Sequence, residues 1–197
     1  MVHNMEAKKT AILALDIGGV CIHVELQRFH GGLGFPEAPP WLRELGLRHN
    51  LGQLTSEEYF ARVLQGLPEP RPTPGRLREL FGALLVAPNP GMRELIASLP
   101  GRGIRPVFFS DINRPHVERA LRLLEAEKII TDGVFSYEVG AFKPSAAMLE
   151  AFEARFGKPL LYVDDLPELV SGAKAHGWNA AVFQSATQVE TLLRQLG

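Results

Sequence analysis

Asp16, Ser110, Lys143 and the adjacent Asp164 and Asp165 each follow closely on an apolar run of the chain. Asp16 comes before Ile17-Gly18-Gly19. Two glycines let a backbone turn sharply and present N–H groups to an anion. A carboxylate placed there can attack phosphorus and form an acyl-phosphate; it can equally serve as a turn or helix-cap residue. Ser110 offers a hydroxyl and, with Asp111 and the amides that follow, a cradle for phosphate. Its other reading is a helix cap, since Asn113 and Pro115 open a helical pattern. Asp164 and Asp165 are like charges at the end of an apolar strand, and they repel unless a cation lies between them. Mg²⁺, hard and oxygen-seeking, is the natural one. Asp165 could instead cap a helix around Pro167, with Glu168 as a box-like partner. Lys143 precedes Pro144, which favours an extended backbone, and its ammonium can balance an anionic centre. The chemistry these points share is phosphoryl transfer.

Such groups must be held by a scaffold, and the pattern supplies one. Ala11–Leu15, Ile104–Phe109, Leu160–Val163 and Ala180–Phe183 read as buried strands, with a shorter one over Val134–Tyr137. Between them lie helical stripes: Met92, Leu95, Ile96, Leu99; Val117, Ala120, Leu121, Leu124; Leu149, Phe152, Phe156; and Val189, Leu192, Leu193, Leu196. Strand and helix alternate from about residue 92 onward. The expected fold is α/β, a Rossmann-like parallel sheet with helices on both faces.

The stretch from Ile22 to Pro88 differs. It shows no convincing strand and two clean helical stripes, Phe60-Val63-Leu64-Leu67 and Leu77-Leu80-Phe81-Leu84. Thr55 and Glu58 form a capping box before the first. Nine of the fifteen prolines fall between Pro36 and Pro90. The reading is an all-helical insertion, residues 22–88, after the first strand, with the α/β core formed by 1–21 and 89–197. Pro68 to Pro74 reads as a stiff polyproline-like link between two of its helices rather than as a ligand for a proline-binding module.

Composition narrows the function. Lys plus Arg is 21 and Asp plus Glu is 22, a formal charge of −1 over 197 residues. That argues against nucleic-acid binding through a broad basic surface. The one cysteine, Cys21, excludes an internal disulfide framework and a Cys-rich zinc module, which fits a cytoplasmic protein. The polar stretch Met1 to Thr10 is a poor signal peptide, and no run is long enough to span a membrane. There is no repeat or coiled-coil heptad.

The order of the features, aspartate-turn, helical insertion, serine after a strand, lysine, then paired aspartates, resembles the haloacid dehalogenase (HAD) superfamily. The branch is the phosphatase-like one with a small helical cap. Ala14-Leu-Asp16-Ile-Gly18-Gly19-Val20, Val107-Phe-Phe-Ser110, Gly140-Ala-Phe-Lys143-Pro144 and Tyr162-Val-Asp164-Asp165, with Gly172-Ala173 and Gly177, resemble its four motifs. His49-Asn-Leu-Gly52-Gln-Leu-Thr-Ser-Glu57 resembles the cap of members acting on sugar phosphates such as glucose 1-phosphate. The resemblance implies that Asp16 is the nucleophile and that Ser110 binds the phosphoryl group. It implies that Lys143 balances charge, and that Asp16, the Gly18 carbonyl, Asp164 and Asp165 hold Mg²⁺. Gly18, Gly19, Asp111 and Lys143 are the further phosphate-binding candidates. The expected activity is hydrolysis of small phosphomonoesters, sugar phosphates among them.

There are departures. Gly18 stands where the family has a second aspartate serving as general acid and base. Asp111 and Leu169 stand where it often has asparagine. General acid–base help contributes about 10²- to 10⁴-fold in rate, so the leaving group is expected to matter: anomeric sugar phosphates and aryl phosphates over primary-alcohol esters. His23 is read as a hinge or packing residue, with replacement of the missing acid as the alternative. Cys21 reads as apolar filler, and Gly31 to Gly34 follows no strand and is no nucleotide loop. The histidines lack metal-ligand spacing, and Arg71, Arg76 and Arg78 read as solvated. Two competing readings are a metal-independent 2-haloacid dehalogenase, against which the Asp164-Asp165 pair speaks, and a degenerate binding module without turnover.

Overall fold

The computed structural model describes residues 10–196, so most of the polar Met1 to Thr10 stretch lies outside the described residues. Five strands form a parallel sheet: β1 (Ala11–Leu15), β4 (Ile104–Ser110), β5 (Gly133–Phe135), β6 (Leu161–Asp164) and β7 (Ala180–Val182). Their spatial order is β5-β4-β1-β6-β7. The chain therefore winds outward from β1 in both directions, and the switch point lies beside the carboxyl end of β1, where such sheets bind ligands.

Side chains alternate across the strands. Ile12, Ala14, Val107, Phe109 and Tyr162 pack on one face with Met148, Leu149 and Phe152 of α8 (Ala146–Phe156) and Val170 and Ala173 of α9 (Pro167–Ala175). Leu13, Leu15, Phe108, Leu161 and Val163 pack on the other. There they meet α5 (Met92–Ser98), α6 (Arg114–Leu124) and α10 (Ala186–Leu196). This is the α/β, Rossmann-like sheet with helices on both faces that the alternation of patterns requires. The fifth strand differs from the sequence reading: it ends at Phe135, and Ser136–Val139 forms a helical turn, α7.

Four helices lie between residues 22 and 88: α1 (Leu26–Gly32), α2 (Pro40–Asn50), α3 (Ser56–Gly66) and α4 (Pro74–Ala83). Thr55 and Glu58 close the expected capping box on α3. The stretch is not purely helical. β2 (Ile22–Val24) and β3 (Leu85–Pro88) pair antiparallel in a two-stranded ribbon of their own, with Ile22 opposite Pro88 and Val24 opposite Leu85. So short a ribbon has no pattern to read, because its strands exist only through their mutual pairing. The proline-rich link bends at Glu69 and Pro70 instead of running as one rod. The apolar core of these helices, with Phe29, Tyr59, Phe60 and Phe81, is continuous with that of the sheet. Among the described residues no helix is long and apolar enough to cross a membrane.

Candidate active site

β1 delivers Asp16 into the gap between β4 and β6. The Asp16 N–H donates to Val163 O at 3.0 Å, extending the pairing by one residue and fixing the backbone beneath the carboxylate. The chain then folds back: Ile22 N–H bonds Ile17 O at 2.8 Å, and Gly19 N–H bonds Ile22 O at 2.9 Å. Gly19 has φ of +72°, and a Cβ there would stand 2.2 Å from Asp165 Oδ2. Glycine is therefore required twice over, by backbone and by neighbour. The Asn89 side chain, entering from the end of β3, donates to Gly19 O at 2.7 Å and Val20 O at 2.8 Å and clamps this turn.

Lys143 is the hub. Its ammonium nitrogen lies 5.5 Å from the ring centroid of Phe109 and 5.6 Å from that of Tyr162. Its ammonium donates to Asp16 Oδ1 at 2.7 Å, Asp164 Oδ2 at 2.6 Å and Phe109 O at 3.1 Å. An ammonium has three donors, and all three are used. Gly172 lets this happen: a Cβ there would come within 2.4 Å of Pro144 Cβ, so α9 packs directly on the lysine loop. Asp111 accepts the Lys143 backbone N–H with both oxygens, at 3.0 and 3.2 Å. Its carboxylate thus positions the lysine, leaving only its main chain to face a phosphate.

Asp164 is fully buried at the end of β6. Tyr162, two residues earlier and so on the same face of the strand, donates its hydroxyl to Asp164 Oδ2, and Leu166 N–H donates to Oδ1 at 3.0 Å. Asp165 reaches across to Gly19 and does not cap α9, which starts without a side-chain cap. Nor is Ser110 a cap: Asn113 performs that task for α6. Ser110 is instead buried in the same cleft as Asp16, and its hydroxyl helps to lower the Asp16 pKa.

Burial pushes the Asp16 carboxyl up to about 6, against the pull of Lys143. Burial alone would lower Lys143, but Asp16, Asp164 and Asp111 outweigh it and raise its pKa, so the lysine stays charged. Four carboxylates thus surround one ammonium, a local excess of negative charge. The side-chain donors gathered here are all oxygens, those of Asp16, Asp164 and Asp165, with Gly18 lining the same cleft. A hard divalent cation fits that set and that charge. Among the described residues no three carboxylate, histidine or cysteine side chains form a ready-made cage, so such a cation would draw on the main-chain carbonyl and water.

All eight residues singled out from the sequence, Asp16, Gly18, Gly19, Ser110, Asp111, Lys143, Asp164 and Asp165, line one cleft of about 670 Å³. His23 lies at this cleft too, in β2, but is exposed and paired with Glu25 at 3.3 Å. Cys21 is buried filler. The sequence reading missed Asn89 and Tyr162. A tyrosine two places before a strand-end aspartate is a signal that was there to use; Asn89, between two prolines, carries none.

The fold is shared with solved structures. A HAD family enzyme from Bacteroides thetaiotaomicron in complex with magnesium superposes with a TM-score of 0.80 at 18% identity, over 95% of this chain and 100% of that one. The same enzyme with magnesium and inorganic phosphate gives 0.72 at 15%, over 89% and 94%. CbbY from Rhodobacter sphaeroides in complex with phosphate gives 0.58 at 22%, over 88% and 85%. No curated protein sequence matches the chain. The family model for haloacid dehalogenase-like hydrolases matches residues 11–177. That span runs from the strand bearing the nucleophile candidate through the glycine that ends α9, and the chain belongs to the haloacid dehalogenase-like hydrolase family.

Proposed function

We propose that the protein is a Mg²⁺-dependent hydrolase of small phosphomonoesters working through a phospho-aspartate at Asp16. The observation that carries this reading is Lys143 held between the buried carboxylates of Asp16 and Asp164 at the switch point of the sheet. Asp16 attacks phosphorus, and the ester P–O bond breaks with its electron pair on the leaving oxygen. Water then attacks the phosphorus of the acyl-phosphate, releasing phosphate and restoring Asp16. Lys143 keeps the nucleophile ionised and balances charge. Ser110 and the main-chain N–H groups of Gly18 and of Asp111 hold the phosphoryl oxygens; the Gly19 N–H is already bonded to Ile22 O. When bound by Asp16, Gly18 O, Asp164 and Asp165, Mg²⁺ neutralises phosphoryl charge.

Residues 22–88 act as a cap over a core of 1–21 and 89–197, with β2 and β3 as the stem. A buried thiol at Cys21 suits a cytoplasmic enzyme whose partner is a small phosphate ester, not nucleic acid or membrane. Sugar phosphates were the class suggested by resemblance of the His49–Glu57 stretch. In the structure Gly52 is pressed against Tyr137 O, and Thr55 caps α3.

The test is a panel of phosphate esters assayed with and without Mg²⁺, with Asp16→Asn beside the wild type. The expected result is turnover that needs Mg²⁺ and is lost in Asp16→Asn with the fold intact. Hydrolysis of chloroacids in chelator would instead make it a dehalogenase. Phosphate binding without turnover would make it a binding module.

A further inference from the structure

The residues proposed to hold the phosphoryl group occupy one side of the cleft, and much of the rest of its wall is apolar. Phe29, Leu42, Tyr59 and Leu84 face it from the helical segment, Ile112 and Leu169 from the sheet domain. Of the polar side chains along that wall, Asn50, Asn113 and His116 bond one another, while His30, Arg43 and the unpartnered His49 Nδ1 also reach it. Asn113 donates to Asn50 Oδ1 at 2.8 Å and accepts from His116 N–H at 3.2 Å. His116 Nδ1 lies 3.0 Å from the Asn113 amide, and His116 Nε2 lies 3.0 Å from Phe81 O. A sugar's several hydroxyls would lose water against the apolar residues and find partners only at those few points.

The mouth carries a second, independent sign. Four large hydrophobic side chains are exposed among the described residues, and two of them line this cleft. Leu26, 58% exposed, stands at the start of α1; Leu166, 44% exposed, stands before α9. Apolar surface left in water beside a nucleophile is surface that a bound apolar group would cover. Third, Gly18 supplies no acid, so the leaving oxygen departs as an anion.

We propose that the substrates are phosphate monoesters of aromatic alcohols, above all phenols, with the ring held along the apolar wall and covered by Leu26 and Leu166. This rests on the phosphatase reading above. In the first step the bond between phosphorus and the phenolic oxygen breaks, its electron pair stays on that oxygen, and phenolate leaves. In the second, one water supplies the oxygen of the released phosphate and the proton that phenolate takes up from solvent. A phenolate needs no proton to leave; an alkoxide does.

The experiment measures kcat/KM with Mg²⁺ for phenyl, 2-naphthyl and benzyl phosphates, hexose 1- and 6-phosphates, and acetyl phosphate. Benzyl and hexose 6-phosphates are both esters of primary alcohols, so their ratio reads apolar recognition apart from leaving-group acidity. Benzyl phosphate is expected to exceed hexose 6-phosphate at least tenfold, and the two aryl esters to exceed both. Leu26→Ser and Leu166→Ser, changes at exposed positions, should each lower the benzyl-to-acetyl ratio by roughly three- to tenfold, the scale of partly burying one leucine side chain. Turnover of acetyl phosphate with hexose phosphates equal to or better than the aromatic esters would overturn the aromatic assignment and leave the phosphatase standing. No turnover of any ester, acetyl phosphate included, would overturn both. The wild-type ranking needs no variant, so a poorly folded variant does not decide the matter.

Discussion

Lys143 gives its three ammonium protons to Asp16, Asp164 and the Phe109 carbonyl, and so fixes both carboxylates relative to β4. Gly18, beside them, has room: a Cβ there would meet Val24 Cγ2 at 3.4 Å and Asp16 Oδ2 at 4.0 Å, with no positive φ to oppose it. Gly18→Asp is therefore expected to fold and to install a proton donor next to the leaving oxygen. Alkyl esters should gain selectively, by up to about 10²- to 10⁴-fold, while aryl esters change little. The alkyl-to-aryl ratio of kcat/KM in the two proteins measures it; an unchanged ratio would show that proton transfer does not limit alkyl esters. Asp16, Ser110 and Asp164 were legible in the sequence because each is polar beside a buried apolar run, and Lys143 only through its place in the order of the motifs. Asp111 was legible as a residue but not in its role. A carboxylate after a serine looks like phosphate machinery, and only the fold reveals that the Lys143 N–H comes to meet it.

At the scale of elements, the site depends on how closely α9 approaches the loop after Gly140. Gly172→Ala would place a methyl group 2.4 Å from Pro144 Cβ and 2.7 Å from its Cγ. Either the helix or the lysine loop must shift. Overpacking of this kind costs about 1–3 kcal/mol, and a displaced Lys143 loosens Asp16. Denaturant unfolding should show that loss, and turnover should fall by more than any change in KM. Undiminished kcat would mean that the loop is not braced by α9. The long elements were readable because a buried strand is a continuous apolar run and an amphipathic helix repeats at 3.6 residues. β2 and β3 were not, since three or four residues carry no period. α1 and α2 were obscured by Gly31, Gly32 and the Pro36 to Pro40 cluster.

Across the whole molecule, one stacked pair joins the helical segment to the sheet domain and another stiffens the segment itself. His49 stacks on Tyr59 with ring centroids 4.5 Å apart, and Phe81 stacks on His116 of α6 at 4.1 Å. Burial pushes both histidines down to about 4 from an ordinary 6.5. A histidine depressed in this way binds its proton less readily folded than unfolded. Its contribution to stability is complete above pH 6.5 and is lost as the pH falls toward 4. For His116 the span is about 3 kcal/mol. Asp16, raised by burial, acts with the opposite sign in part of the same range, so the histidine must be isolated by difference. The stability of the wild type minus that of His116→Gln, from chemical unfolding at several pH values, should fall by about that amount between pH 7 and 4; a flat difference would refute a buried neutral His116. The ribbon of β2 and β3 bears on the molecule's history as well as its shape. Val24 lies opposite Leu85, so the chain leaves and re-enters the sheet domain at neighbouring points. What lies between hangs on a closed stem, and the cost of closing a loop grows only with the logarithm of its length. Changes in the size and lining of that stretch, made away from Asn89, are therefore expected to spare Asp16 and Lys143. Preference for one ester over another can thus be inherited, or engineered, separately from the ability to cleave it.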